Sequence, residues 1–321
     1  MRYAKLAIGA LVALLVASDA ASAQSNYPAK PVRIVVPTGP GGATDVTARS
    51  VAEFLTRALG ETFVVENKPG AQGRVAATYF VQQPSDGYTL FMMASSQSVL
   101  PALYELPYDT LKDFTPIAVL STAPTMLLVN KKLSVTSIDE LIAYAKKHPS
   151  EITFGYQGGP PQLAGAGFGK MVGINAVGVP FNASAQALTE LVAGRLTYII
   201  TTADVAKAQV EGGTLVALAA VGKKRAELFP DIPSLYELNY KLEGSGWFGL
   251  TGPRDLPPAI TEKIFATLKE GYIGKAPQSA LARSGLEPVG EGPAQFKARL
   301  SEAIERWQDV AAGLGIKRTK L

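Results

Sequence analysis

Val32-Arg-Ile-Val-Val-Pro-Thr-Gly-Pro-Gly-Gly-Ala-Thr-Asp45 is the stretch whose reading decides the fold. Val32 to Val36 is a short apolar run of the kind a buried strand carries. Pro37 to Gly42 is a Pro/Gly-rich turn. A helical pattern follows, with Val51, Leu55, Ala58 and Leu59 on one face and Gly60 to end it. A strand therefore feeds a glycine turn, which feeds a helix start carrying Thr44 and Asp45. The first N–H groups of a helix lack internal acceptors, and the helix dipole makes that end positive. Such a junction suits an anion.

The same order recurs. Thr62 to Glu66 reads as a strand, Asn67 to Gly73 as a turn and Val75 to Gln83 as a helix. Asp86-Gly87 turns into the strand Tyr88 to Ala94, after which Ser95, Ser96 and Gln97 open a short helix. The alternation predicts an α/β architecture. Ligands of open α/β sheets lie beyond the carboxyl ends of the strands, so the recurrence of small and polar residues there argues for binding.

Thr115 to Leu120 reads as a strand leading to a crossing point, and Thr125 to Val129 opens a second unit. Ser137-Ile-Asp-Glu140 is a capping box on a structural helix. Strands follow at Ile152 to Gly155, Ala176 to Pro180, Arg195 to Thr201 and Leu215 to Val221. Their intervening turns carry Tyr156, Gln157 and Gln162, then Phe181 and Asn182, then Asp204. Gly246 to Leu250 reads as a strand returning to the first unit. The remainder is expected to be mostly helical, ending in a helix with Phe296, Leu300, Ile304, Trp307 and Ala311 on one stripe. The expected division is residues 1–23 as a leader, 24–122 plus 245–321 as one lobe, and 123–244 as the other. Two crossings would make a hinge with a cleft beside it.

Composition bounds the rest. The leader has Arg2 and Lys5, an apolar run from Leu6 to Ala17 too short to span a bilayer, and Ala21-Ser-Ala23 as a cleavage signal. A cleaved secretory signal peptide is expected, with export of a chain beginning at Gln24. Apolar residues are 47% and charged residues 18%, ample for packed cores. A net charge of +4 is too mild to argue for nucleic acid. With no cysteine and one histidine, His148 at a helix end, neither a zinc site nor a Ser–His triad is expected, and no metal or cofactor is called for.

Several stretches also carry a family likeness. Tyr27-Pro-Ala-Lys-Pro-Val-Arg-Ile-Val-Val-Pro37, Pro40-Gly-Gly-Ala-Thr-Asp45, Val65-Glu-Asn-Lys-Pro-Gly-Ala71, Asp86-Gly-Tyr-Thr-Leu90, Leu106-Pro-Tyr-Asp109, Lys112-Asp-Phe114, Val179-Pro-Phe181, Ala187-Leu-Thr189 and Trp247-Phe-Gly-Leu250 occur in family order and spacing. The chain resembles the Bug family of extracytoplasmic solute receptors, the TctC-like binding components of tripartite tricarboxylate transporters. That resemblance implies a two-lobe periplasmic binding protein of type II, a Venus flytrap, and not an enzyme. It implies capture of a small carboxylate and delivery to a membrane permease. One carboxylate would be held by backbone amides and ordered waters at two first-lobe loops, here Thr38, Gly41, Gly42, Ala43, Thr44 and Asp45, and Gly70, Ala71, Gln72 and Gly73. Further contacts would come from Ser95, Ser96 and Gln97, and from Tyr156, Gln157, Gln162, Phe181, Asn182 and Asp204. Thr44 as a helix cap and Asp45 as a first-turn acid are the structural alternatives.

The chain departs from the family pattern in the second lobe. Leu163 stands where histidine is frequent, and Phe181-Asn182-Ala183 replaces a turn that usually carries lysine. The distal pocket is thereby less basic and more apolar, which favours an aromatic or medium-chain mono- or dicarboxylate over citrate. A receptor that presents its ligand to a sensor kinase is the alternative. A secreted hydrolase is the remote one, since Gly244-Ser245-Gly246 lacks the surrounding nucleophile-elbow pattern. A monomer is the simplest expectation.

Overall fold

The computed structural model describes residues 27–156, 159–181, 184–273, 281–282 and 284–320. The leader, its cleavage site after Ala23, and the turn residues Gln157 and Asn182 lie outside the described residues.

The described strands form two mixed sheets. The first contains β1 (Val32–Val36), β2 (Phe63–Asn67), β3 (Thr89–Ala94), β4 (Phe114–Ala123), β10 (Gly246–Pro253) and β11 (Glu287–Glu291), in the order β11-β4-β10-β3-β1-β2. The second contains β5 (Thr125–Asn130), β6 (Thr153–Tyr156), β7 (Val177–Pro180), β8 (Tyr198–Thr202) and β9 (Leu215–Ala220), in the order β7-β6-β8-β5-β9. β1 runs parallel to β2 and β3, so the turns after all three open at one edge of the sheet. β6 is likewise parallel to β7 and β8.

The helices are α1 (Ala43–Leu59), α2 (Arg74–Phe80), α3 (Ser96–Leu103), α4 (Ile138–Lys147), α5 (Gly159–Met171), α6 (Ser184–Val192), α7 (Ala203–Glu211), α8 (Pro258–Gly271) and α9 (Pro293–Gly313). Apolar stripes at helical spacing place them on both faces of each sheet. Val51 and Leu55 of α1 and Ile260 and Ile264 of α8 pack with Ile34, Leu90 and Met92 on one face of the first sheet. Ala77 and Phe80 of α2 pack with Val35, Phe91 and Met93 on the other. Each buried Val, Leu, Ile, Phe or Met among them contributes roughly 1.5–3 kcal/mol. α1 ends at Gly60, whose φ of 80° is the left-handed cap that glycine adopts without a Cβ penalty. At the start of α4, Ser137 Oγ accepts from the Glu140 N–H at 3.1 Å, while the Glu140 carboxylate reaches back to the N–H and hydroxyl of Thr136.

The two sheets join at two adjacent crossings. β4 passes into β5 through Pro124, and β9 returns to β10 through residues 221–245. The crossings are bonded to each other: Val221 N–H donates to Thr125 O at 2.7 Å, and Gly246 pairs with Ala123. α9 bridges the same boundary differently. Its Phe296, Leu300 and Ile304 lie in the first sheet's core, and its Ala303, Trp307 and Ala311 lie in the second's.

The segment after Leu250 is less helical than its sequence suggests. β11 is an edge strand that pairs with β4 through an irregular register. Glu287-Pro-Val-Gly-Glu291 has neither apolar alternation nor a β-branched run, and its proline is tolerated because one side of the strand is unpaired.

Candidate functional site

The turn between β1 and α1 is held from below. Asp45 is 2% exposed, and its carboxylate is saturated. Oδ2 accepts from the Gly41 N–H at 2.9 Å and Arg49 Nε at 2.8 Å, and Oδ1 accepts from Asn67 Nδ2 at 2.9 Å. Asn67 also donates to Thr38 O at 3.0 Å, so the end of β2 grips both sides of the turn. Burial works against ionisation of Asp45, but the bonds from Arg49, Gly41 and Asn67 outweigh it and hold the carboxyl below its usual range. Asp45 therefore shapes the turn, and its bonds are spent inside the protein.

What the turn offers outward is backbone. Gly42 is the N-cap of α1 and no side chain caps that helix start. Thr44, the alternative cap, lies inside the first turn and is 5% exposed. Gly41 adopts a φ of 86°, and a Cβ built at Gly39, Gly41 or Gly42 would meet nothing within 4 Å. The first amides of α1, beginning at Ala43, have no intrahelical acceptor. The Thr38 hydroxyl is enclosed and has no partner.

A second loop stands beside it. Gly70, Ala71, Gln72 and Gly73 all have positive φ, at 143°, 44°, 58° and 91°. Left-handed backbone at Ala71 and Gln72 costs about 1–2 kcal/mol each, and strain of this kind concentrates at ligand-binding turns. Gly73 is where this loop meets the others. A Cβ there would lie 2.5 Å from Gln97 Nε2 and 3.0 Å from Pro37 Cβ.

Gln97 is the deepest of the expected site residues. It is fully buried, its Oε1 accepts from the Tyr108 hydroxyl at 3.5 Å, and its Nε2 has no partner. An unmade bond on a buried amide costs about 1–3 kcal/mol. Ser95 is the N-cap of α3 without a side-chain cap, and its N–H donates to Trp247 O at 2.9 Å. Ser96 is the half-buried first residue of that helix. Thr38 to Asp45, Gly70 to Gly73 and Ser95 to Gln97 thus form one cluster at the carboxyl ends of β1, β2 and β3.

The second-sheet candidates divide. Tyr156 ends β6 and accepts from the Phe181 N–H at 2.8 Å, so these two half-buried aromatics stand together. Beside them is a hollow of about 10 Å³, lined by Gly155, Tyr156, Ser184, Ala187, Ile199, Ile200 and Thr201, none of them charged. Gln162 is half-buried on α5. Asp204 is exposed, and a Cβ built at Gly285 would lie 2.4 Å from the Asp204 Cβ, so its Cβ packs on the approach to β11.

Asn67 and Tyr108 were not foreseen as parts of the site. Asn67 closes a parallel strand at the sheet edge where turns gather, which is the signal that could have singled it out. Among the described residues no group of three or more His, Cys, Asp or Glu could hold a metal. Ser245 Oγ donates to Val221 O at 3.3 Å within the crossing, and His148 caps α4 while stacking on Tyr144 at 4.5 Å, so no nucleophile and base meet there.

Residues 47–316 match the family described as tripartite tricarboxylate transporter family receptor, TctC. The chain belongs to the TctC family. These are solute-binding receptors and not enzymes, and the family implies export to the periplasm. Protein BugT of Bordetella pertussis is 32% identical, over 91% of each chain. Rpa4515 of R. palustris, solved with adipate, is 32% identical with a TM-score of 0.74, covering 92% of this chain and 100% of that one. A TctC solute-binding protein from Polaromonas, solved without ligand, is 26% identical with a TM-score of 0.82, covering 89% and 99%. In this TctC chain no helix among the described residues is long and apolar enough to cross a membrane.

Proposed function

We propose that this receptor captures a small aromatic or medium-chain carboxylate in the periplasm and hands it to the permease of a tripartite tricarboxylate transporter. The observation that carries the reading is the buried, unpartnered Nε2 of Gln97 beside Gly73. With the uncapped start of α1 and the Thr38 hydroxyl, it supplies donors for one carboxylate without a direct ion pair. In this reading Tyr156 and Phe181, both uncharged, form the far wall and favour a far end less polar than that of citrate. Gln162 belongs to the same proposed wall. Adipate in Rpa4515 is a ligand of this kind.

Residues 24–122 with 245–321 form one lobe in this reading, and 123–244 the other, with signal-peptide cleavage after Ala23. Ligand bridging the lobes shifts an open–closed equilibrium about the paired crossings. The mature protein acts as a monomer.

The test is thermal unfolding of residues 24–321 against adipate, hexanoate, benzoate and citrate, with amino acids and sugars as controls. A ligand at 100 times its Kd adds about 2.7 kcal/mol, a clear upward shift. Citrate as the tightest ligand would overturn the specificity reading. A response to sugars or amines alone would overturn the carboxylate reading.

A further inference from the structure

A second and larger hollow lies on the other side of the second sheet's central strands. It has a volume of about 190 Å³ and is enclosed by the start of α4, by β9 and by residues 232–240. β9 is an edge strand of that sheet, with β5 and β8 between it and β6. None of the candidate carboxylate contacts lines this hollow.

Its wall is apolar with one polar end. Ile138, Leu218, Ile232, Pro233 and Leu238 form the apolar part. Ile138 and Leu218 belong to the second core and are 2% and 3% exposed, so packing fixes that side. Asp139 and Tyr240 form the polar end, where the Tyr240 hydroxyl donates to Asp139 Oδ1 at 3.1 Å. Among the described residues Asp139 has no ion-pair partner, and no lysine or arginine lines the hollow.

A helix start ordinarily favours an anion, but this one is already occupied by its own acids. Ser137 Oγ accepts from the Glu140 N–H, and the Glu140 carboxylate accepts from the N–H and hydroxyl of Thr136. Asp139 and Glu140 both stand in the first turn, so an incoming anion would meet like charge. An ammonium group would instead find an acceptor in the Asp139 carboxylate. The volume sets the body of the ligand: an apolar cavity of about 150 Å³ holds a benzene ring.

We propose that this hollow is a second ligand site, taking a small organic cation with its ammonium group on Asp139 and a ring or short alkyl body against Ile138, Leu218 and Leu238. It is independent of the carboxylate reading.

Ligand-observed NMR titration of the mature protein with phenethylamine tests it, with phenethyl alcohol as the neutral analogue, in wild type, Asp139→Asn and Ile232→Trp. Asp139→Asn keeps an oxygen for the Tyr240 hydroxyl and removes the charge. Ile232→Trp fills the hollow from its half-buried rim. Wild type should bind the amine about tenfold more tightly than the alcohol, the scale of a charge-assisted hydrogen bond. Asp139→Asn should level the two, and Ile232→Trp should weaken both. Melting curves of the variants show that each is folded, and the exposed Asp139 carries the test alone if the tryptophan is not tolerated. A wild type that does not bind the amine would overturn the proposal. An amine affinity unchanged in Asp139→Asn would overturn it too, since the amine would then sit elsewhere.

Discussion

Asn67, the last residue of β2, donates its side-chain amide to the Asp45 carboxylate at 2.9 Å and so fastens the glycine turn to the neighbouring strand. Asp45→Ala strips the acceptor from Asn67, from the Gly41 N–H and from Arg49 in one step. The loss should be about 2 kcal/mol in urea denaturation at pH 7, the scale of leaving buried donors unpaired. The sign with pH follows from the depressed pKa. The stabilisation is present above the ordinary value of 3.8 and is lost as pH falls through the lower folded value. The gap between wild type and Asp45→Ala should therefore narrow in strong acid. A gap of the same size at pH 7 and pH 2 would show that the carboxylate charge is not what holds the turn.

Much of this scaffold is legible in the sequence because each strand is a short apolar run and each helix an amphipathic stripe. Val32–Val36, the turn after it and the helix to Gly60 need only local information. The bonding of Asp45 needs Asn67, which lies in the next strand, and no local pattern distinguishes a first-turn acid that faces a ligand from one that faces a strand end. Gln97 against Gly73 depends on how α3 packs, which is a tertiary contact. β11 was hidden for the opposite reason: its residues lack strand character, and β4 recruits them as an edge.

Gly73→Ala tests the convergence of the three loops. The position combines a φ of 91° with a Cβ site 2.5 Å from Gln97 Nε2. The backbone strain alone is about 1–2 kcal/mol. The new methyl also pushes the Gln97 amide out of place, so the affinity for the best carboxylate should fall together with stability. Gly60→Ala, at the αL end of α1 with open space around it, controls for strain without the contact. It should lose stability and keep affinity. Equal affinities in the two variants would separate Gln97 from the ligand site.

α9 is shared between the two cores. Its first half is built into the first core and its second half into the other, with Trp307 only 4% exposed. Calorimetry should show a single unfolding transition. Trp307→Ala, costing about 3–5 kcal/mol as a buried aromatic deletion, should lower that whole transition. Two resolved transitions, with only one moved by the substitution, would mean that the lobes unfold separately.

Glu287, at the start of β11, accepts from the backbone N–H of Glu227 at 2.6 Å and joins the first sheet to the segment after β9. Burial raises its pKa above the ordinary 4.5. The Glu227 N–H opposes that shift, the Glu227 charge adds to it, and Lys224 opposes it. A raised carboxyl pKa means that the folded state favours the protonated form. The associated stability is present below pH 4.5 and is lost as pH rises through the folded value. Glu287→Gln keeps an oxygen for the Glu227 N–H and carries no charge at any pH. It should therefore be more stable than wild type at pH 7, by about 0.5 kcal/mol, the usual scale for a substitution near the surface. The advantage should vanish near pH 4, where wild-type Glu287 is itself protonated. Urea midpoints at the two pH values decide the matter. A variant no more stable than wild type at pH 7 would show that the buried charge at this junction is fully compensated by Lys224 and the Glu227 N–H.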